Sequence, residues 1–324
     1  MKAIAYHCYG PPEVLEFREI EKPAPALDQV LIQVRSASVN PYDWHFLRGT
    51  PSFLRLFTGL RRPKSPQLGA DVAGIVEAVG SKVTRFKVGD SVFGTCRGAF
   101  AEFACATEKT LALKPESLTF EQAAAMPIAG LTALQGLRDS ARIGPGQSVL
   151  INGAAGGVGT FAVQIAKHYG AFVTGVCSTR NIDMLRSIGA DSVIDYTRDD
   201  FTLSRQKYDV LFDLVGNRAL SEMRRALRVR GTFVGCGGGG PDRHSAALLV
   251  SMLSRAVLSP FVSQRLTGVL AKGNPQDLEQ LAELAQSGLI KPVVDRNFSL
   301  ADAARAIRYV EQCHSRGKVT LTIA

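Results

Sequence analysis

The sequence predicts an α/β protein of two domains, a doubly wound parallel sheet interrupting a mostly β domain. Three observations carry this. Between residues 148 and 236, short continuous apolar runs alternate with helix-like segments, the pattern of parallel strands covered on both faces. At the head of that alternation, "INGAAGGVGTFAVQIAKHYG" (151–170) leads from an apolar run through a glycine-rich turn into an apolar period of helical spacing. Before about 120 and after about 270 the alternation is absent.

Residues 1–120 read as mostly β. The runs "VLIQVRSASV" and "AFAEFACAT" are β-rich, while "GADVAGIVEAVG" and "KVGDSVFG" place glycines where strands turn or pack closely. "YDWHFLRG" is a short helix, and 50–67, without a clean period, reads as a loop beside a pocket. The character changes near Leu118, where Thr119 with Gln122 three residues on forms a capping-box pattern. Residues 121–270 make the parallel-sheet domain. Its elements are expected as strand 148–152, helix 160–169, strand 171–177, helix 182–188, strand 192–195, strand 210–215, helix 219–229 and strand 232–236. Residues 271–324 are expected to return to the first domain. Asn274 caps a helix with Pro275 at its first position and Gly288 as its stop, Ser299 with Asp302 opens another, and "KVTLTIA" is a strand.

With 324 residues, 46% hydrophobic and 21% charged, the chain suits a globular protein that buries large cores without staples. Its cysteines (Cys8, Cys96, Cys105, Cys177, Cys236 and Cys313) form no CxxC pair, which points to free thiols in a reducing compartment and excludes a zinc ribbon. No secretory signal is visible, so a cytoplasmic protein is expected. The most apolar stretch, "AALLVSMLSRAVL" (246–258), is too short to span a bilayer and is interrupted by Arg255. It reads as a buried helix or pocket wall, with contact to a membrane surface as the alternative. The net charge of +9 is spread along the chain and favours anionic ligands. No nucleic-acid module accompanies it, so nucleic acid is not an expected partner.

The glycine turn carries the chemistry. Gly156 and Gly159 stand at the second and third glycines of the dinucleotide fingerprint, while Ala154, with Gly153 just before it, holds the first position. A missing Cβ lets backbone approach a pyrophosphate, and another lets the helix pack on the strand. The N–H groups over Ala155, Gly156, Gly157, Val158 and Gly159 then face the phosphates with the helix dipole behind them. The next strand, "AFVTGVC", ends in "STRN" with no acid to bond a ribose 2′-hydroxyl. Ser178, Thr179 and Arg180 suit a 2′-phosphate instead, so NADPH is expected rather than NAD. Tyr196, ending the following strand, can reach the same place; the alternative leaves Arg180 as a solvated surface residue. The turns after later strands, at Leu214, Val215 and Gly216 and at Cys236, Gly237 and Gly238, offer backbone groups to the nicotinamide. Gly239 and Gly240 are equally readable as linker.

The ordered set "NPYDW", "GADVAGIVEAVG", "FKVGDSVFG", "GAFAEF", "GLTAL", "GAAGGVGTFAVQIAK", "GADSVIDY" and "GKVTLT" resembles the medium-chain dehydrogenase/reductase superfamily, above all its zinc-free quinone-oxidoreductase-like branch. The resemblance covers nearly the whole chain. It implies a GroES-like catalytic domain split by a Rossmann domain, with the active site in the cleft between them. It implies roles for Asn40 near the nicotinamide ribose, for Thr132 and Lys318 near the cofactor, and for Ser178, Arg180 and Tyr196 at the 2′-phosphate. It also implies a homodimer.

The zinc alcohol dehydrogenases of the superfamily carry a cysteine where Asn40 stands and a histidine where "GAD" has Ala70; neither Asn nor Ala supplies such a ligand. No metal is therefore expected. A quinone or an enone needs none, because hydride addition passes charge to its own oxygen. The expected function is NADPH-dependent reduction of such a small molecule. The alternatives are an NADPH-binding structural or regulatory protein, an alcohol dehydrogenase, or an enoyl-thioester reductase using Arg55, Arg61, Arg62 and Lys64 as a basic entry. Some quinone reductases have a tyrosine where Pro51 and Ser52 stand here, which leaves Tyr42 as the candidate proton donor. Asp43 reads as holding its loop, and His45 as a packing residue.

Overall fold

The computed structural model describes residues 1–236 and 258–323. The expectations for Gly237 and Gly238, the rest of the glycine run, and nearly all of 246–258 fall outside the described residues.

The elements begin with β1 (Lys2–Ala5), β2 (Glu16–Glu19), β3 (Gln29–Val39), α1 (Pro41–Arg48), α2 (Arg55–Thr58), β4 (Asp71–Val79), β5 (Ser91–Thr95), β6 (Phe103–Thr107) and β7 (Leu111–Leu113). After α3 (Phe120–Ala124) and α4 (Pro127–Gln135) come β8 (Ser148–Asn152), α5 (Gly157–His168), β9 (Phe172–Cys177), α6 (Ile182–Ser187), β10 (Ser192–Asp195), β11 (Tyr208–Asp213), α7 (Leu220–Arg225) and β12 (Leu227–Gly235). The described chain ends with β13 (Arg265–Gly268), α8 (Pro275–Gln286), β14 (Val294–Ser299), α9 (Ala303–Glu311) and β15 (Lys318–Thr322).

Two compact units result. The first comprises Met1–Leu131, Lys272–Gly288 and Pro292–Ala324; the second, Thr132–Ala271 and Leu289–Lys291. In the first unit a sheet runs β14-β15-β3-β4-β5-β7, with β6 also paired to β3. Its pairs are antiparallel except β14 with β15. Alternation along β3 sends Val30, Ile32 and Val34 into a core closed by Trp44, Leu47 and Ile307. The short insert 289–291 joins the second unit because the Gln164 side chain donates to Lys291 O (3.1 Å) and accepts from Lys291 N (2.8 Å).

The second unit is built on a parallel sheet of order β10-β9-β8-β11-β12-β13. Strand order reverses between β8 and β11, and ligands of open α/β sheets bind beyond the strand ends at such a point. Helix α5 packs on β8 and β9 and is buried around its circumference, with Phe161, Val163 and Ile165 all fully buried.

Several expectations shift. Helix α5 starts at Gly157 rather than at 160, because its glycines, poor helix formers alone, are needed where helix meets turn. Strand β11 stops at Asp213, whose Oδ1 takes the N–H groups of Val215 (3.2 Å) and Gly216 (3.0 Å) and turns the chain. Residues 227–229 are strand, not helix. Leu227 pairs with Tyr208, a register shift absorbs the residues before Thr232, and Arg228 bonds Asp209 at 2.9 Å. The stretch 50–67 is partly ordered as a 3-10 turn at Ser52–Leu54 and as α2. Among the described residues no helix is long and apolar enough to cross a membrane.

Candidate cofactor and catalytic site

The turn after β8 divides three tasks among its glycines. Gly153 has φ +85°, the left-handed region, and a Cβ there would meet Val215 Cγ2 at 2.7 Å. It performs the tight turn expected one position later. At Gly159 a Cβ would lie 2.3 Å from Gly153 O and 2.6 Å from Ala154 C, so only glycine lets α5 pack against the turn. At Gly156, the N-cap of α5, a Cβ would meet only Gly153 O, at 3.4 Å. The space above it is open. That space adjoins the start of a helix whose first turn carries no acid, the kind of helix end whose N–H groups can hold a phosphate.

The neighbouring turn is fastened to this one. Asn152 Nδ2 donates to Asp213 Oδ1 (2.9 Å) and Asn217 Oδ1 (3.1 Å), and Leu214 N donates to Asn152 O (3.1 Å). Leu214 and Val215 therefore keep only their carbonyls for a ligand. Cys236 is held alongside by its N–H to Asp213 O (2.9 Å). Sequence reasoning missed Asn152 and Asp213; the trace they leave is a polar residue ending each of two apolar strands, directly before Gly153 and three residues before Gly216.

Residues 178–180 follow β9 on the same edge of the sheet. Ser178 Oγ accepts from Asn181 Nδ2 (3.2 Å), which leaves its own proton to donate. Arg180 is exposed. Tyr196 N donates to Cys177 O (3.0 Å), so its exposed side chain starts directly across from Ser178. One carboxylate, unseen in the sequence, also lies here: parallel register sets Asp195 opposite Cys177. It accepts from Thr179 Oγ1 and from Thr197 Oγ1 (2.7 Å) and N (3.0 Å). The Thr179 hydroxyl bond, followed by those of Thr197, holds the Asp195 carboxyl below its usual range. Thr179 is thus committed to Asp195, while the other residues expected at a 2′-phosphate, Ser178, Arg180 and Tyr196, follow the neighbouring strands β9 and β10.

Register also assembles a buried polar cluster in the first unit. Ser38 pairs with Asp71 across β3 and β4, and β15 brings Lys318 to the same end. Asp71 Oδ2 accepts from Ser38 Oγ (2.9 Å), Asn40 Nδ2 (2.9 Å) and Lys318 Nζ (3.4 Å), while Oδ1 accepts from Ile128 N (3.0 Å). Asn40 also donates to Ser38 O (3.3 Å) and accepts from Lys318 Nζ, so its amide is fully engaged inside the unit. Burial pulls the Lys318 ammonium below its usual range, and Asp71 and Asp43 oppose that pull.

Asp43 returns to the N-cap of α1, accepting from Asn40 N at 2.7 Å. Burial foremost, aided by Asp71, raises its carboxyl from the usual 3.8 to about 7. Native Asp43 therefore keeps its proton where the unfolded chain has lost it. Stability from this group is full below about pH 4 and is lost by about pH 7, a change of at most about 4 kcal/mol. Asp43→Asn should remove that fall. Urea titrations at pH 4.5 and 7.5 should show the variant gaining on the wild type as pH rises, and an unchanged difference would contradict the assignment.

Tyr42 is half-exposed, with its ring 4.1 Å from that of Phe46. Burial and then the neighbouring Asp43 push its phenol upward, so it stays protonated at neutral pH. His45 Nδ1 meets Thr50 O at 2.8 Å and its ring stacks on Trp44, a packing role. Thr132 is buried within α4.

The chain matches the model of the alcohol dehydrogenase GroES-like domain over residues 26–116 and that of a zinc-binding dehydrogenase over 188–321. It is 35% identical to the 2-methylene-furan-3-one reductase of Solanum lycopersicum, covering 99% of this chain and 79% of that one. It is 34% identical to the quinone oxidoreductase of Rattus norvegicus, covering 98% and 96%. Among solved structures, the Escherichia coli quinone oxidoreductase complexed with NADPH superposes with a TM-score of 0.85 at 28% identity, covering 100% of both chains.

Proposed function

The chain belongs to the medium-chain dehydrogenase/reductase superfamily, in its quinone oxidoreductase branch, and from that premise we propose a zinc-independent, NADPH-dependent reductase of quinones or α,β-unsaturated carbonyl compounds. The observation that carries this reading is the open space over Gly156 at the head of α5, with Ser178, Arg180 and Tyr196 ending the adjoining strands.

Bound NADPH supplies the hydride. The backbone N–H groups at the start of α5 hold the pyrophosphate, and Arg180 with Ser178 selects the 2′-phosphate. The substrate's own conjugated oxygen takes the negative charge that arrives with the hydride, so orientation and a proton source suffice. Tyr42 Oη is the group assigned to deliver that proton. Asn40 and Lys318 serve by holding each other and Asp71 in place. In this reading the carbonyls of Leu214 and Val215 orient the nicotinamide, and Thr132 borders it. Zinc independence rests on the donor set: the Asn40 amide is engaged within the unit, and Ala70 offers only a methyl group.

We also place the protein in the cytoplasm as a homodimer. Cys8, Cys96, Cys105, Cys177 and Cys313 are free thiols. Strand β13 ends its sheet among the described residues, with Phe261 and Leu270 exposed near it; a sheet edge can template a second copy.

The test is NADPH consumption by purified protein offered a panel of quinones and enones, with and without a chelator. Turnover that survives chelation supports the reading. Tight NADPH binding without turnover on either class would make the protein a binder rather than a reductase.

A further inference from the structure

Helix α2 is amphipathic in the wrong sense for a helix resting on its own core. Its polar residues face inward. Arg55 donates from Nε to Gly49 O (3.0 Å) and from Nη2 to Arg48 O (3.1 Å), with its guanidinium 4.7 Å from the Tyr9 ring. Thr58 Oγ1 lies 2.7 Å from Tyr9 Oη, which also donates to Gly59 O at 2.7 Å. The chain then turns back at Gly59, φ +121°, where a Cβ would strike Arg62 O, and Lys64 N closes the turn on Thr58 O at 2.7 Å. The segment is therefore fastened, yet its apolar residues point to water: Phe53 is 40% exposed, Leu56 65%, Phe57 74% and Leu60 68%. Phe53, Leu56 and Phe57 have the i, i+3, i+4 spacing of one helical face.

The charge carried by this segment is of one sign. From Trp44 to Ala70 the sequence has no Asp or Glu. Arg61, Arg62 and Lys64, all exposed, form no ion pair among the described residues. A rigid wedge of large apolar side chains beside unpaired cations matches one environment: hydrocarbon just beneath a layer of negative head groups. We propose that residues 53–64 dock the protein peripherally on the surface of an anionic phospholipid bilayer. Phe53, Leu56, Phe57 and Leu60 enter the acyl boundary, while Arg61, Arg62 and Lys64 meet the phosphates.

Flotation of the full chain with vesicles tests this. Vesicles of phosphatidylcholine mixed with phosphatidylglycerol should carry the protein upward, and phosphatidylcholine alone should not. Leu56→Ser/Phe57→Ser/Leu60→Ser should weaken binding roughly tenfold or more, and so should Arg61→Gln/Arg62→Gln/Lys64→Gln. Higher salt should weaken the wild type. Both variants should melt with the wild type; if the apolar variant misfolds, the charge variant decides. Three results would overturn the proposal. These are no flotation with anionic vesicles, flotation indifferent to both variants, or a mass that falls by half in the apolar variant, which would assign the face to a second copy of the chain.

Discussion

Gly156→Val should leave the protein folded and unable to hold NADPH, whereas Gly159→Val should cost it both. At Gly156 an added Cβ meets no protein atom closer than 3.4 Å, and the residue is an N-cap with extended backbone, φ −81° and ψ 179°. Replacing an N-cap glycine by valine there should cost about 1 kcal/mol, which leaves the fold intact. The added methyl groups fill the space that the pyrophosphate needs, displacing it from the α5 N–H groups. Losing two charge-assisted bonds of about 1.5–3 kcal/mol each weakens binding by about a hundredfold or more. At Gly159 the obstacles are backbone atoms, Gly153 O and Ala154 C and Cα, all within 2.6 Å. They cannot rotate away, so the helix must leave the turn, and overpacking of this kind costs about 1–3 kcal/mol or more. Melting curves and NADPH titrations of the two variants check the pair. A folded Gly156→Val that binds NADPH as the wild type does would mean that the space over Gly156 is not where the cofactor lies.

Lys318→Met should be among the most destabilising single changes in the first unit. Lys318 and Asp71 are both buried, with Nζ and Oδ2 3.4 Å apart. Methionine matches the length of the lysine stem but leaves the Asp71 carboxylate without its cation. Breaking a buried pair on one side costs about 3–5 kcal/mol, mostly the penalty of the charge left behind. The same change removes the donor to Asn40 Oδ1, freeing that amide to rotate. If the penalty is the stranded charge, Lys318→Met/Asp71→Asn should recover at least half of it. Urea unfolding at neutral pH reads both numbers; a double variant no more stable than the single would place the cost in packing instead.

How much of this was legible in the sequence depends on the range of the interaction. Strands β8 and β10 coincide with their expected limits because each is a short apolar run closed on both sides by polar residues. The capped helices α3 and α8 were legible because a cap is local: Thr119 with Gln122, and Asn274 with Asp277, bond as their spacing requires. Residues 227–229 were not, since their helical propensity yields to pairing with β11. The polar cluster was legible only residue by residue. Asn40 and Lys318 stand 278 positions apart and meet through strand register. Asp195 escaped notice for the same reason, being placed beside Cys177 by parallel pairing rather than by neighbourhood in the chain. The outward apolar face of α2 was hidden because the sequence shows a period but not which side of it faces the protein.

The central claim is that this sheet edge holds NADPH by its pyrophosphate and its 2′-phosphate. Calorimetric titration of the wild type and of Arg180→Ala with NADPH and with NADH tests it most directly. The wild type should prefer NADPH, and Arg180→Ala should lose roughly ten- to a hundredfold for NADPH, the worth of a bond to a charged group, while its affinity for NADH stays nearly unchanged. Equal losses for the two nucleotides, or no uptake of either by the wild type, would contradict the account.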